Sequence, residues 1–194
     1  MSINAQSVLW IDGVGGYAMC DRASTTLGNS TATGELGLRI ASDLPSRAVV
    51  FHHQGQDLLL EPLHSVFLNG KEITAIVLLK NGDRMRLGSS VELEFLQPTL
   101  LSGTAALTIR SRHRWHGSID GAILLGSSCV IGPSPRAHIR CKNWEKDIVF
   151  FRYGDQWMIR NNEYTADGLR NSVGTRPVIF GERIQGSDFS MTWL

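Results

Sequence analysis

Nowhere in the sequence do about 18 apolar residues follow one another, so no segment has the composition of a membrane-spanning helix. Residues Met1 to Gln6 hold neither a basic stretch nor an apolar run of signal-peptide length, and the expectation is a soluble cytoplasmic protein without a membrane partner. Cysteine is scarce. Cys20, Cys129 and Cys141 are an odd set without metal-ligand spacing, which argues against a zinc framework and suits a reducing compartment in which each thiol is a small buried hydrophobe. Charge of one sign is lacking as well: a net charge of +1 is too balanced to mark a nucleic-acid footprint, and no nucleic-acid partner is expected. Helical periodicity is almost missing, because no dozen-residue window carries apolar residues at i, i+3, i+4 and i+7 between convincing caps.

What is present is strand. The chain has 194 residues, 42% of them hydrophobic and 20 of them glycine, enough for a real core with many turns and for one large or two small domains. Short apolar segments at Val8 to Ile11, Ala48 to Phe51, Asp57 to Leu60, Ile73 to Leu79, Arg84 to Leu87 and Val91 to Phe95 are separated by Gly, Asn, Asp, Pro and Ser clusters. Regular spacing of this kind predicts a β-sandwich. Val91-Glu92-Leu93-Glu94-Phe95 alternates strictly, which places Val91, Leu93 and Phe95 on a buried face and reads as a final strand. Gln97-Pro98-Thr99 and Ser102-Gly103-Thr104 then break the pattern. A boundary near residue 100 follows, with one domain over 1–100 and a second over 101–194. The first holds 7 Lys or Arg against 10 Asp or Glu, hence −3, and the second 12 against 8, hence +4.

The two halves repeat. Ile11-Asp12-Gly13 recurs as Ile119-Asp120-Gly121, and Thr26-Leu27-Gly28 as Val130-Ile131-Gly132. Leu68-Asn69-Gly70 recurs as Ala166-Asp167-Gly168, both of the kind that favours a tight type I′ hairpin turn. Gly82-Asp83-Arg84-Met85-Arg86-Leu87-Gly88 recurs, one residue shorter, as Gly181-Glu182-Arg183-Ile184-Gln185-Gly186.

At these residues the chain resembles the forkhead-associated (FHA) domain family. The family pattern is a strand ending in Gly-Arg, then Ser-Arg-x-His, then a stretch closing on Val-Asn-Gly, then Gly-Asp-x-Ile-x-Leu-Gly. The matching pieces of the first half are Leu27-Gly28, Ser46-Arg47, Leu68-Asn69-Gly70 and Gly82 to Gly88. The resemblance implies an all-β fold of two tandem FHA-like β-sandwich domains with few or no helices. It also implies phosphothreonine-peptide binding by loops at one end, since a phosphate needs arginine, serine and asparagine donors held on neighbouring loops.

Carried over residue by residue, the first copy keeps part of that set. Asn29 stands where the family has arginine, Ser46 and Arg47 match the Ser-Arg pair, and Val49 replaces the histidine. The peptide-gripping asparagine falls on His64 and the serine before it on Pro62. In the second copy Pro133 follows Gly132, the Ser-Arg position falls near Lys146-Asp147, and Asn162 occupies the asparagine position. The candidate phosphopeptide-binding residues are thus Asn29, Ser46, Arg47 and His64, with Asn162 in the second domain. Arg84 and Arg86 sit beside a strand predicted to be far from the loops.

Other motifs carry less. Asp12-Gly13-Val14-Gly15-Gly16 lacks the following helix and the Lys-Ser or Lys-Thr of a phosphate-binding loop. Arg110-Ser111-Arg112-His113-Arg114-Trp115-His116, the one concentrated basic stretch, continues the alternation of Leu107 and Ile109 and reads as a strand with one solvated face. His52-His53 invites a metal, yet neighbours on a strand point to opposite faces and no third ligand is near. No nucleophile and base set and no Gly-x-Ser-x-Gly elbow occurs, so neither an enzyme nor a cofactor is expected.

The function that follows is a non-catalytic adaptor with degenerate phosphothreonine sites. The resemblance implies a protein or phosphoprotein partner in Ser/Thr kinase signalling. Three alternatives stay open: genuine phosphothreonine-peptide binding by the first domain, a structural subunit of a larger assembly, and an enzyme with a site at the domain junction.

Overall fold

Alternation of buried and exposed residues along short segments drives nearly the whole chain into strands. The computed structural model describes residues 7–29, 37–161 and 174–194. In chain order the strands are β1 (Val8–Ile11), β2 (Gly15–Cys20), β3 (Ser24–Asn29), β4 (Leu38–Ala41), β5 (Val49–Gln54), β6 (Asp57–Pro62) and β7 (Val66–Leu68). Next come β8 (Lys71–Ile73), β9 (Val77–Leu78), β10 (Arg84–Leu87), β11 (Val91–Leu96), β12 (Ala105–Ile109), β13 (Arg114–Trp115) and β14 (Gly121–Leu124). The last are β15 (Ser128–Gly132), β16 (Ile139–Arg140), β17 (Ile148–Tyr153), β18 (Gln156–Asn161), β19 (Gly174–Pro177), β20 (Arg183–Gln185) and β21 (Ser190–Trp193). Among the described residues a single 3-10 turn, Leu100–Ser102, is the only helical element, so the fold is all-β.

The strands form three sheets. A central ten-stranded sheet runs β20-β21-β1-β2-β14-β12-β11-β10-β7-β8, a six-stranded sheet runs β13-β4-β3-β5-β6-β9, and a five-stranded sheet runs β16-β15-β17-β18-β19. The middle of the central sheet is buried on both faces. Ala18, Cys20, Ala105, Leu107, Ala122 and Leu124 join one core with Leu27, Phe51 and Leu60 of the six-stranded sheet. Their neighbours in sequence, Met19, Ala106, Ile123 and Leu125, join a second core with Ile131, Phe150 and Ile159 of the five-stranded sheet. Hence the sandwiches share a wall. A strand covered on both faces reads as a continuous apolar run, and Gly121–Leu124 is buried at every position.

The two outer sheets repeat one pattern. β3 pairs parallel with β4 and antiparallel with β5, followed by β6 and β9; β15 pairs parallel with β16 and antiparallel with β17, followed by β18 and β19. The central sheet crosses between the halves. β11 pairs with β12, Phe95 opposite Leu107, while β1 pairs with β21, Leu9 opposite Trp193. β2 and β14 join the two parts in parallel, with Ala18 opposite Ala122. The first strands of each half therefore close the sandwich of the other half.

Asn69-Gly70 is the tight hairpin between β7 and β8. Both residues have positive φ, 50° and 83°, as a type I′ turn requires, and a side chain at position 70 would be strained by that conformation. Its counterpart Asp167-Gly168 lies outside the described residues. Two expected strands differ. Ile73 to Leu79 is broken: Ile73 ends β8 in the central sheet, whereas Val77–Leu78 is β9 in the six-stranded sheet. That run is apolar without alternation, so nothing local holds it in one sheet. Leu107 to His116 is likewise broken after Ile109, and Arg114–Trp115 pairs with β4 in the other layer.

Candidate functional site

The end of β3 sets the geometry of the loops in the first half of the chain. A Cβ on Gly28 would collide with the backbone carbonyl of Ser46, so only glycine lets the 42–48 loop lie directly on this strand. Asn29 then fastens it: its N–H donates to Pro45 O at 3.1 Å, and its side-chain Nδ2 donates to Leu44 O at 2.7 Å. The amide that stands in the arginine position is thereby committed to the loop backbone. Ser46 and Arg47, next in the loop, are exposed.

Gly88, in the turn between β10 and β11, draws a second loop to the same place. Its N–H donates to Ser65 O at 3.0 Å, and a Cβ on it would lie 3.3 Å from Leu44 Cδ2. The loop carrying exposed His64 is thus joined to the loop carrying Ser46 and Arg47. Arg86 belongs here too. Its Nη1 donates to Gly88 O at 3.2 Å while its guanidinium stacks 3.9 Å from the centre of the Phe67 ring. The expectation that Arg86 lies far from the loops is corrected, because β10 runs towards this turn.

A third basic contributor comes from the other half of the chain. Pairing of β12 with β11 delivers residues 110–116 to this end. Arg110 N–H donates to Glu92 O at 2.8 Å, and its guanidinium pairs with Glu94. His113 then contacts Ser111 Oγ at 2.9 Å through Nδ1 and Ser90 Oγ at 3.4 Å through Nε2. Ser90 lies in the same turn as Gly88. Sequence reasoning missed this neighbourhood because the pairing that creates it crosses between the repeats.

The corresponding place in the second half of the chain is filled differently. Asp147 packs against Gly132, where a Cβ would collide with its carboxylate, and Oδ1 accepts from Ser134 N–H at 3.0 Å. A carboxylate of the chain itself thus lies against Gly132 where Ser46 lies against Gly28. Asn162 lies outside the described residues.

At the junction of the halves, Ser102, Thr104 and His138 are buried together. His138 Nδ1 accepts from Val130 N–H at 2.9 Å, which places the ring proton on Nε2, 3.0 Å from Ser102 Oγ. Ser102 Oγ itself donates to Thr99 O at 3.0 Å and accepts from Thr104 N–H at 3.1 Å. A serine nucleophile needs the opposite polarity, with the imidazole accepting its proton. Burial also holds the His138 pKa down at about 4. The pair is a polar strut, and the three cysteines are buried with their thiol pKa values pushed up by desolvation. His52 Nε2 pairs with Glu61 at 2.7 Å, and no group of three or more metal-ligating side chains occurs among the described residues.

No family model matches the chain, and no curated protein matches it. Among solved structures, the chain is similar to the FhaA FHA domain, solved in complex with the intracellular domain of Rv3910. That likeness has 21% identity and a TM-score of 0.31, and it covers 42% of this chain and 91% of that one. It is also similar to the Rv0020c FHA structure, at 20% identity and a TM-score of 0.32, covering 57% of this chain and 97% of that one.

Proposed function

We propose that the chain is a non-catalytic protein-binding module of FHA type, built from two copies, residues 1–100 and 101–194, that have exchanged their first strands. The duplicated pairing order of the outer sheets supports the two copies. The partner is a protein of Ser/Thr kinase signalling, met in the cytoplasm by the loop end of the first copy.

One observation carries this reading: Gly28 and Gly88 converge the loops bearing Ser46, Arg47 and His64, and leave those three side chains exposed. Ser46 and Arg47 are then the phosphate donors, and His64 lies where the peptide backbone would pass. The site is degenerate. Without an arginine at position 29 the strongest charge-assisted donor is gone, and in the second copy Asp147 repels a dianion.

Titration of the whole chain with a phosphothreonine peptide library tests it. Weak, submillimolar binding that is lost in both Ser46→Ala and Arg47→Ala is expected. Binding indifferent to both substitutions, or no binding at all, overturns the phosphate assignment.

A further inference from the structure

β13 is the outermost strand of the six-stranded sheet, and among the described residues no strand pairs with its second edge. Arg114 lies opposite Ala41, and His116 N–H donates to Arg39 O at 2.9 Å, so the polar backbone groups of residues 114 and 116 face β4. By the alternation of an antiparallel ladder, Trp115 turns its backbone N–H and C=O to the open side. Beside that edge is a cavity of about 600 Å³. Its apolar lining includes buried Trp115 and Ile119 and half-buried Ile109; exposed Arg114, His116 and Asp120 also line it.

The charge on this edge is cationic. Residues 110–116 contain three arginines, two histidines and no carboxylate. Glu94 neutralises Arg110, but Arg112, Arg114 and His116 are exposed and have no side-chain partner among the described residues. Asp120, the one carboxylate at the cavity, accepts the Gly16 N–H at 2.9 Å. A second copy of the same edge would set like charges opposite each other, which disfavours self-pairing. An acidic strand meets no such penalty.

We propose that the β13 edge is a docking site for an extended acidic segment of a partner protein, in which acidic and apolar residues alternate. The segment adds a strand to β13. Its backbone pairs with Trp115, its carboxylates face Arg112, Arg114 and His116, and its apolar side chains enter the cavity against Ile109 and Ile119. Strand addition to a sheet edge gives affinity through the backbone and specificity through alternate side chains. The proposed contacts use none of Ser46, Arg47 and His64, so the inference stands or falls apart from the phosphate reading.

The test uses the full-length 15N-labelled chain and two nonapeptides, one alternating glutamate with valine and one alternating lysine with valine. Saturable amide shifts at Ala41 and at residues 114–120 are expected with the glutamate peptide alone. The double variant Arg112→Glu/Arg114→Glu should weaken that peptide by about tenfold and admit the lysine peptide, since each cross-strand charge pair changes sign. Ser46→Ala and Arg47→Ala should leave the titration unchanged. Equal binding of the two peptides, shifts centred on Ser46 and His64, no saturable shift, or dimerisation of the chain through this edge would each overturn the proposal.

Discussion

Leu9, near one end of the chain, lies opposite Trp193, near the other, and both side chains are fully buried in the second core. The same core takes Met19 from β2, and the first core takes Leu107 and Leu124 from the second repeat. Cutting the chain between residues 100 and 101 therefore opens the edge of β11 and removes a wall from each sandwich. Each buried leucine lost is worth about 2 kcal/mol against a total stability of about 5–15 kcal/mol. Neither fragment should fold alone, whereas co-expressed fragments should re-form the exchanged sheet. Amide dispersion in NMR spectra of the separate and combined fragments checks this, and a well-dispersed 1–100 fragment would contradict the exchange.

Gly28→Ala should damage the loop end specifically. The new Cβ meets a backbone carbonyl, that of Ser46, which cannot rotate away as a side chain does. Displacing the loop costs about 1–3 kcal/mol, as overpacking of a tight site usually does. Thermal melts should register that loss, and peptide titration should show weaker phosphothreonine binding as Ser46 and Arg47 move. Gly55→Ala is the control: φ there is 65° but open space surrounds the Cβ position, so it strains only its own turn.

How far the sequence could lead depended on whether a signal was local. Asn69-Gly70 was legible as a hairpin because a two-residue turn with both φ positive demands those residue types. Val91 to Phe95 was legible from its alternation, since the structure buries Val91, Leu93 and Phe95. The exchange was not legible. β1 and β12 occupy equivalent places in the central sheet, and either could satisfy the edges of β11 and β21; the choice is made by packing far along the chain. Everything that hangs on it, from the double-faced burial of Ile123 and Leu124 to the arrival of His113 beside Ser90, was hidden for the same reason. The loops that carry Ser46, Arg47 and His64 meet through Gly28 and Gly88, while Asn29 is a brace for the loop backbone.

Asn29→Arg examines that brace. The substitution removes the Nδ2 bond to Leu44 O, which should cost about 1 kcal/mol of stability. It also places a guanidinium beside exposed Ser46 and Arg47, and a charge-assisted pair is roughly twice as strong as a neutral hydrogen bond. Affinity for phosphothreonine peptides should rise several-fold, while unphosphorylated peptides stay unaffected. Calorimetric titration measures both, and an unchanged phosphopeptide affinity would show that the loop end is not arranged around a phosphate.

His138 gives the fold a pH dependence with a definite sign. Burial depresses its pKa from 6.5 to about 4, because desolvation disfavours the charged ring more than the backbone hydrogen bonds to Val130 and Thr104 favour it. The unfolded chain takes up a proton there near the ordinary histidine pKa of about 6.5, and the folded one declines it. Stability rises with pH wherever the unfolded state binds more protons, so this contribution is fully present above pH 6.5. It falls as the pH is lowered from about 6.5 to 4, and then levels off, for a total of about 3 kcal/mol. His138→Asn retains an acceptor for Val130 N–H but cannot titrate, so it should be less stable than the native chain at pH 7 and lose less on acidification. Urea denaturation at pH 7, 5.5 and 4 separates the two slopes. Parallel losses in both proteins would mean that folding does not depress the His138 pKa.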